Sequence, residues 1–158
     1  MGRPQIVDVP EHSLYRQVIL EHARQPRNAE RVEPHSHMAE AINPLCGDEA
    51  EVTLRLEGGR IDAIGARVRG CTISQAAASL MSEVVRGLLL AQAAALGGVF
   101  RQAIEQGQTE ALPPELAPLA PLIEVRKHRS RIRCALLAWE AIETMALEEA
   151  AGEAAAED

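Results

Sequence analysis

The chain has 158 residues, 47% of them hydrophobic, which is enough for one globular domain with a core of its own. Its formal net charge of −7 argues against nonspecific nucleic-acid binding and against docking on an anionic membrane. Aromatic residues are limited to Tyr15, Phe100 and Trp139, so base stacking has little to work with and the core must be aliphatic and alanine-rich.

Residues 1–12 carry no periodic pattern and read as a loose arm. Leu14, Val18, Leu20 and Ala23 suit a short amphipathic helix from about Leu14 to Gln25, with Ser13 as its cap and Pro26 as its stop. Residues 38–43 form a weak strand signal. Val52, Leu54 and Leu56 then alternate with polar neighbours, Gly58-Gly59 supplies a two-residue turn, and Ile64, Ala66 and Val68 alternate on the return strand. Ile61 to Ala63 is out of phase with that return, so a bulge is expected there. An antiparallel sheet with one wet face follows.

The period then changes from 2 to 3.6. Ile73, Ala76, Ala77, Leu80 and Val84 share one helical face, with Thr72 and Gln75 as a capping box and Gly87 as the stop. Leu88 to Gln106 reads as a second helix, weakened at Gly97-Gly98. Its apolar run is too short to span a bilayer. Residues 111–121 hold four prolines and read as a connector. Ile132 to about Leu147 forms a last helix, and residues 148–158 read as a frayed acidic, alanine-rich tail. Strands followed by helices indicate an α+β fold: a small antiparallel three-stranded sheet packed against several helices, in a single domain over residues 1–147. The opening residues lack signal-peptide character, so a cytoplasmic location is expected. In a reducing compartment the three cysteines are thiols rather than disulfides.

Each cysteine has a telling neighbourhood. Cys46 lies in a Pro- and Gly-containing loop, with the carboxylate of Asp48 two residues on. Cys71 follows Gly70 at the mouth of a helix, where free N–H groups favour a thiolate. Cys134 shares its helical face with Leu137, Ala138 and Ala141, and taken alone it reads as an inert core residue. Upstream of it, Arg126, Lys127, His128, Arg129, Arg131 and Arg133 crowd a helix start, where cations are disfavoured unless something anionic compensates. Three thiolates and one carboxylate complete a tetrahedral zinc site, and thiolates also hold iron–sulfur clusters. No CxxC pair is present, so spacing alone does not bring these residues together. His35 and His37 could flank a metal but read equally well as loop residues.

Four segments together resemble a known family. They are Leu14-Tyr15-Arg16 through Pro26-Arg27-Asn28, Asn43-Pro44-Leu45-Cys46-Gly47-Asp48, Gly70-Cys71-Thr72-Ile73-Ser74 through Ala78-Ser79, and Arg131-Ile132-Arg133-Cys134 followed by Ala135 to Trp139. In this order they resemble the IscU/SufU iron–sulfur cluster assembly proteins, which share the NifU N-terminal type of domain, over about Leu14 to Met145. Arg133 stands where IscU scaffolds carry a histidine, and the long stretch between Cys71 and Cys134 is similar to the SufU branch. His128, six residues before Cys134, does not match that histidine by position.

The resemblance implies a SufE/NifU-like fold and zinc held by Cys46, Asp48, Cys71 and Cys134. It implies a SufS-type cysteine desulfurase as partner, with Cys46 as the catalytic persulfide acceptor. Downstream iron–sulfur scaffolds or apo-proteins would then receive the sulfur. The alternative it leaves open is a scaffold on which a [2Fe–2S] cluster is assembled and transferred.

Overall fold

A computed structural model describes residues 11–107 and 112–157. The elements run α1 (Glu11–Arg24), β1 (His37–Asn43), β2 (Asp48–Glu57), β3 (Arg60–Arg69), α2 (Thr72–Val85), α3 (Leu90–Gln106), a 3-10 segment (Pro114–Lys127) and α4 (Arg129–Glu157). The fold is α+β, as the order of patterns implied. The expected arm at residues 1–12 lies mostly outside the described residues.

The three strands form one antiparallel sheet in the order β1-β2-β3. Gly58 and Gly59, with φ of 62° and 81°, make the two-residue turn that only glycine adopts readily on both positions. The register slips between Arg55 and Leu56, opposite Ala63 and Ile61, which is where the alternation broke phase. Val52, Leu54, Ile61, Ile64 and Ala66 point into a core completed by Met81, Phe100, Leu116, Trp139 and Ile142. Phe100 and Trp139 pack tilted, with ring centroids 6.2 Å apart.

Several expectations need correction. The opposite sheet face is not simply wet. Thr53 is fully buried, and its Oγ1 accepts the Val32 N–H at 2.9 Å. Beside it the Glu30 carbonyl passes only 2.0 Å from where a β-carbon on Gly65 would stand. A loop therefore crosses this face. Helix α1 begins at Glu11, so Ser13 lies inside it and is not a cap; Leu14 is exposed while Val18, Ile19 and His22 turn inward. The α2 cap is Cys71 rather than Thr72. Helix α3 runs through Gly97-Gly98 without a break. The proline-rich stretch is a 3-10 segment from Pro114 to Lys127, burying Leu116, Leu119, Leu122 and Ile123. Helix α4 continues to Glu157 where fraying was expected, and Glu149 on it meets His37 of β1 at 2.7 Å.

Candidate metal and sulfur site

Four parts of the fold meet at one end of the sheet. Asn43 closes β1 and Asp48 opens β2; they pair across the hairpin. Between them Pro44-Leu45-Cys46-Gly47 makes a tight turn, closed by the Gly47 N–H bonding to the Asn43 carbonyl at 2.8 Å. Gly47 has φ of 79°, so the turn favours glycine there. The turn lifts Cys46 into solvent, next to Leu45, which is 84% exposed. Cys71 sits at the corner between β3 and α2, half-buried. Cys134, on α4, is buried.

The chain brings Cys46, Asp48 and Cys134 together: their donor atoms all lie within 4.8 Å of one another. The Cys46 and Cys134 sulfurs are 3.8 Å apart. Two thiolates bound tetrahedrally at about 2.3 Å to one zinc ion stand about 3.8 Å apart, so this donor pair fits such an ion. Cys71 lies outside that mutual set. Its sulfur accepts the Ser74 N–H at 3.5 Å and serves as the helix cap. Its backbone N–H donates to Asp48 Oδ2 at 3.2 Å. Of the four residues expected as ligands, three converge fully and the fourth sits on the rim, tied to the carboxylate.

Electrostatics separate the groups. Burial alone would raise the Asp48 carboxyl. Hydrogen bonds from the Ser74 hydroxyl, from the Cys71 thiol and N–H, and from the Cys46 thiol outweigh it and hold the pKa down at about 2. Burial pushes the Cys134 thiol up to about 12, helped by its contacts with Cys71 and Cys46. Arg131 is raised above its ordinary value, first by the negative charge of a Cys71 thiolate and by a hydrogen bond to it, then by Cys134. This answers part of the crowding of cations before α4: Arg131 faces the thiols, Arg133 faces Glu140 at 3.7 Å, and Lys127 faces Glu124 at 3.1 Å. His128 and Arg131 line a cleft of about 500 Å³ together with Cys71. His35 and His37 are spent elsewhere, on Glu33 at 2.9 Å and Glu149 at 2.7 Å.

Two residues of the site carried no separate signal in the sequence. Asn43 is buried; its Oδ1 accepts the Leu45 N–H at 3.2 Å and its Nδ2 donates to the Cys134 sulfur at 3.8 Å. Ser74, three residues after Cys71, donates its hydroxyl to Asp48 Oδ2 at 2.8 Å. An asparagine opening the cysteine-bearing turn and a serine three residues past Cys71 were the available cues.

Residues 14–151 match the family described as the NifU-like N terminal domain. The chain is 34% identical over 140 residues to the zinc-dependent sulfurtransferase SufU of Bacillus subtilis, spanning 89% of this chain and 94% of that one. It is 33% identical over 132 residues to the iron–sulfur cluster assembly scaffold protein IscU of Streptococcus pyogenes serotype M1, spanning 82% and 80%. A crystal structure of a hypothetical protein superposes with a TM-score of 0.75 at 32% identity, over 84% of this chain and 96% of the other. A candidate SUF-system scaffold from Fervidobacterium islandicum AW-1 superposes with a TM-score of 0.71 at 23% identity, over 86% and 98%, and this likeness concerns the fold alone.

Proposed function

Because the chain belongs to the family of the NifU-like N-terminal domain, whose IscU- and SufU-named members it matches along most of their length, we propose that it is a zinc-holding sulfur acceptor in iron–sulfur cluster assembly, working in the cytoplasm. Its partner is a cysteine desulfurase of the SufS type. The observation that carries this reading is the position of Cys46: on an exposed turn, yet 3.8 Å from the buried sulfur of Cys134 and grouped with Asp48. A thiol in that position can belong to an ion site and still meet a partner protein.

Cys46, Asp48 and Cys134 would hold the ion, and Cys71 would complete the set by turning its sulfur away from Ser74. Zinc bound there keeps its thiolates deprotonated at neutral pH. The transfer itself is displacement at sulfur. The Cys46 thiolate attacks the outer sulfur of the desulfurase persulfide. A new S–S bond forms on Cys46, the partner's S–S bond breaks, and the partner cysteine leaves as thiolate. Leu45 supplies apolar contact beside the reacting sulfur. Asp48, already charged and held by Ser74, needs no proton exchange during the step.

The test is desulfurase turnover with cysteine as substrate and a SufS-type enzyme as partner. Adding the chain should raise turnover, Cys46→Ala should abolish the rise, and metal analysis should find one zinc per chain. Unchanged turnover with the wild-type chain, together with a stable and transferable [2Fe–2S] absorption after anaerobic reconstitution, would replace this reading with that of a scaffold.

A further inference from the structure

The 3.8 Å between the Cys46 and Cys134 sulfurs has a second chemical meaning, which rests on the sulfur-acceptor reading. Once Cys46 carries a transferred sulfur, its own Sγ becomes the inner atom of a persulfide. The thiol in contact with that inner atom is Cys134. Cys71 stands outside the group of donors that lie within 4.8 Å of one another. The Cys134 sulfur is also oriented: it donates to the Ser130 carbonyl at 3.8 Å and accepts the Asn43 amide at 3.8 Å. The nucleophile belongs to helix α4 and is fixed in the core, whereas the electrophile rides on an exposed four-residue turn that can close the gap. A disulfide needs the two sulfurs about 2 Å nearer than they stand.

We propose that Cys134 is a resolving thiol that releases the accepted sulfur as hydrosulfide. The Cys134 sulfur attacks Sγ of the Cys46 persulfide. A Cys46–Cys134 disulfide bond forms as the bond from Cys46 to the outer sulfur breaks. Cys134 attacks as the thiolate, the outer sulfur departs with that bonding pair as hydrosulfide, keeping the proton it already carried, and a zinc ion shared by the two cysteine sulfurs would be released as they join. The sulfane sulfur is reduced to sulfide, the two cysteine sulfurs are oxidised to the disulfide, and no outside oxidant enters. Hydrosulfide is the conjugate base of a stronger acid than a cysteine thiol, so it is the better leaving group from the persulfide. A dithiol reductant then restores both thiols for the next cycle. The chain would thus deliver sulfur in its reduced, cluster-ready form rather than solely as a persulfide handed onward.

The experiment loads the full chain with sulfur, using inorganic polysulfide in one arm and desulfurase plus cysteine in the other, and removes the excess. Free sulfide is then followed alongside non-reducing peptide mass mapping. The wild-type chain should release one sulfide for each Cys46–Cys134 linkage formed. Cys134→Ser should keep the extra sulfur on Cys46 at least ten-fold longer, with its folding checked by circular dichroism. Mapping in the wild-type chain decides the matter even if that variant is unstable. Sulfide release without the Cys46–Cys134 linkage, or a wild-type persulfide that persists as long as the variant's, overturns the proposal. A Cys46 that gains no sulfur in either arm overturns the acceptor reading, and this inference with it.

Discussion

At Gly70, a β-carbon would stand 2.5 Å from Asp48 Cγ and 2.8 Å from its Oδ1. Asp48 is buried and tethered to Ser74, so it cannot easily step aside. Gly70→Ala should therefore push the carboxylate out of the pocket and weaken zinc binding by about 10- to 100-fold, the range typical of residues that support a ligand. Competition against a chelator measures this, and the metal-free protein should also melt lower, because the expelled carboxylate gives up its bonds to Ser74 and Cys71. A second residue-scale case is His22. Ser79 Oγ accepts the Arg27 N–H at 2.8 Å and stands in hydrogen-bond contact with His22 Nδ1, also at 2.8 Å. Burial first, then the Arg27 charge, lowers the His22 pKa below its ordinary 6.5. The unfolded chain then binds the extra proton more readily, so stability is full above pH 6.5 and falls as pH drops below it toward the folded value. His22→Gln should remove that part of the slope in urea melts compared between about pH 7.5 and about pH 5.5. These bonds also give a use to Pro26-Arg27-Asn28 and Ala78-Ser79, segments that carried the family resemblance without chemistry of their own. They clasp the end of α1 to α2, with Asn28 Nδ2 donating to Ser82 Oγ at 2.9 Å. The sequence marked such residues; their function as a buried hydrogen-bond clasp needed the partner 50-odd positions away to be seen in place.

Among the elements, α3 shows how two adjacent glycines differ. A β-carbon on Gly97 would stand 2.9 Å from Trp139 Cε3, whereas one on Gly98 meets nothing within 4 Å. Gly97 is the close-approach point of α3 on α4; Gly98 is an exposed glycine in a helix. Gly98→Ala should stabilise the protein by about 0.5–1 kcal/mol through helix propensity. Gly97→Ala should lose that gain, and more, to overpacking against the indole, at about 1–3 kcal/mol. Paired denaturant melts test both. Periodicity located α1, the hairpin, α2, α3 and the core of α4 because each buries one regular face. It failed where another rule took over. The prolines of residues 114–127 suit a 3-10 segment, whose apolar residues are held by packing rather than by an α-helical stripe. The cap of α2 is a sulfur, a rare acceptor for that role, so Thr72 took its place in a reading based on Ser and Thr. On α4, helix-forming Ala and Glu and the His37–Glu149 contact carry the helix onward where composition alone read as fraying.

For the molecule as a whole, the apolar face of Cys134 was legible and its burial agrees, yet that face said nothing of what would be packed against it. Its neighbours come from the β1–β2 turn, 88 positions earlier. Three motifs could be read one at a time; their convergence is a property of the topology, in which the hairpin end, the β3–α2 corner and the start of α4 share one rim. An ion held there spans the strand layer and the helical layer at once, and the unfolded chain offers no such arrangement. Binding should therefore add folding free energy, about 2.7 kcal/mol at a free-metal level one hundred times the dissociation constant. Adding a chelator should lower the melting temperature of the wild-type chain, and Cys46→Ala should melt near the chelated value with or without metal. Were an ion to clamp sheet and helices through this exposed turn, drawing Cys46 outward would also unfasten the clamp. Heat resistance would then become a gauge of how much metal the surroundings supply and of how often the turn is engaged.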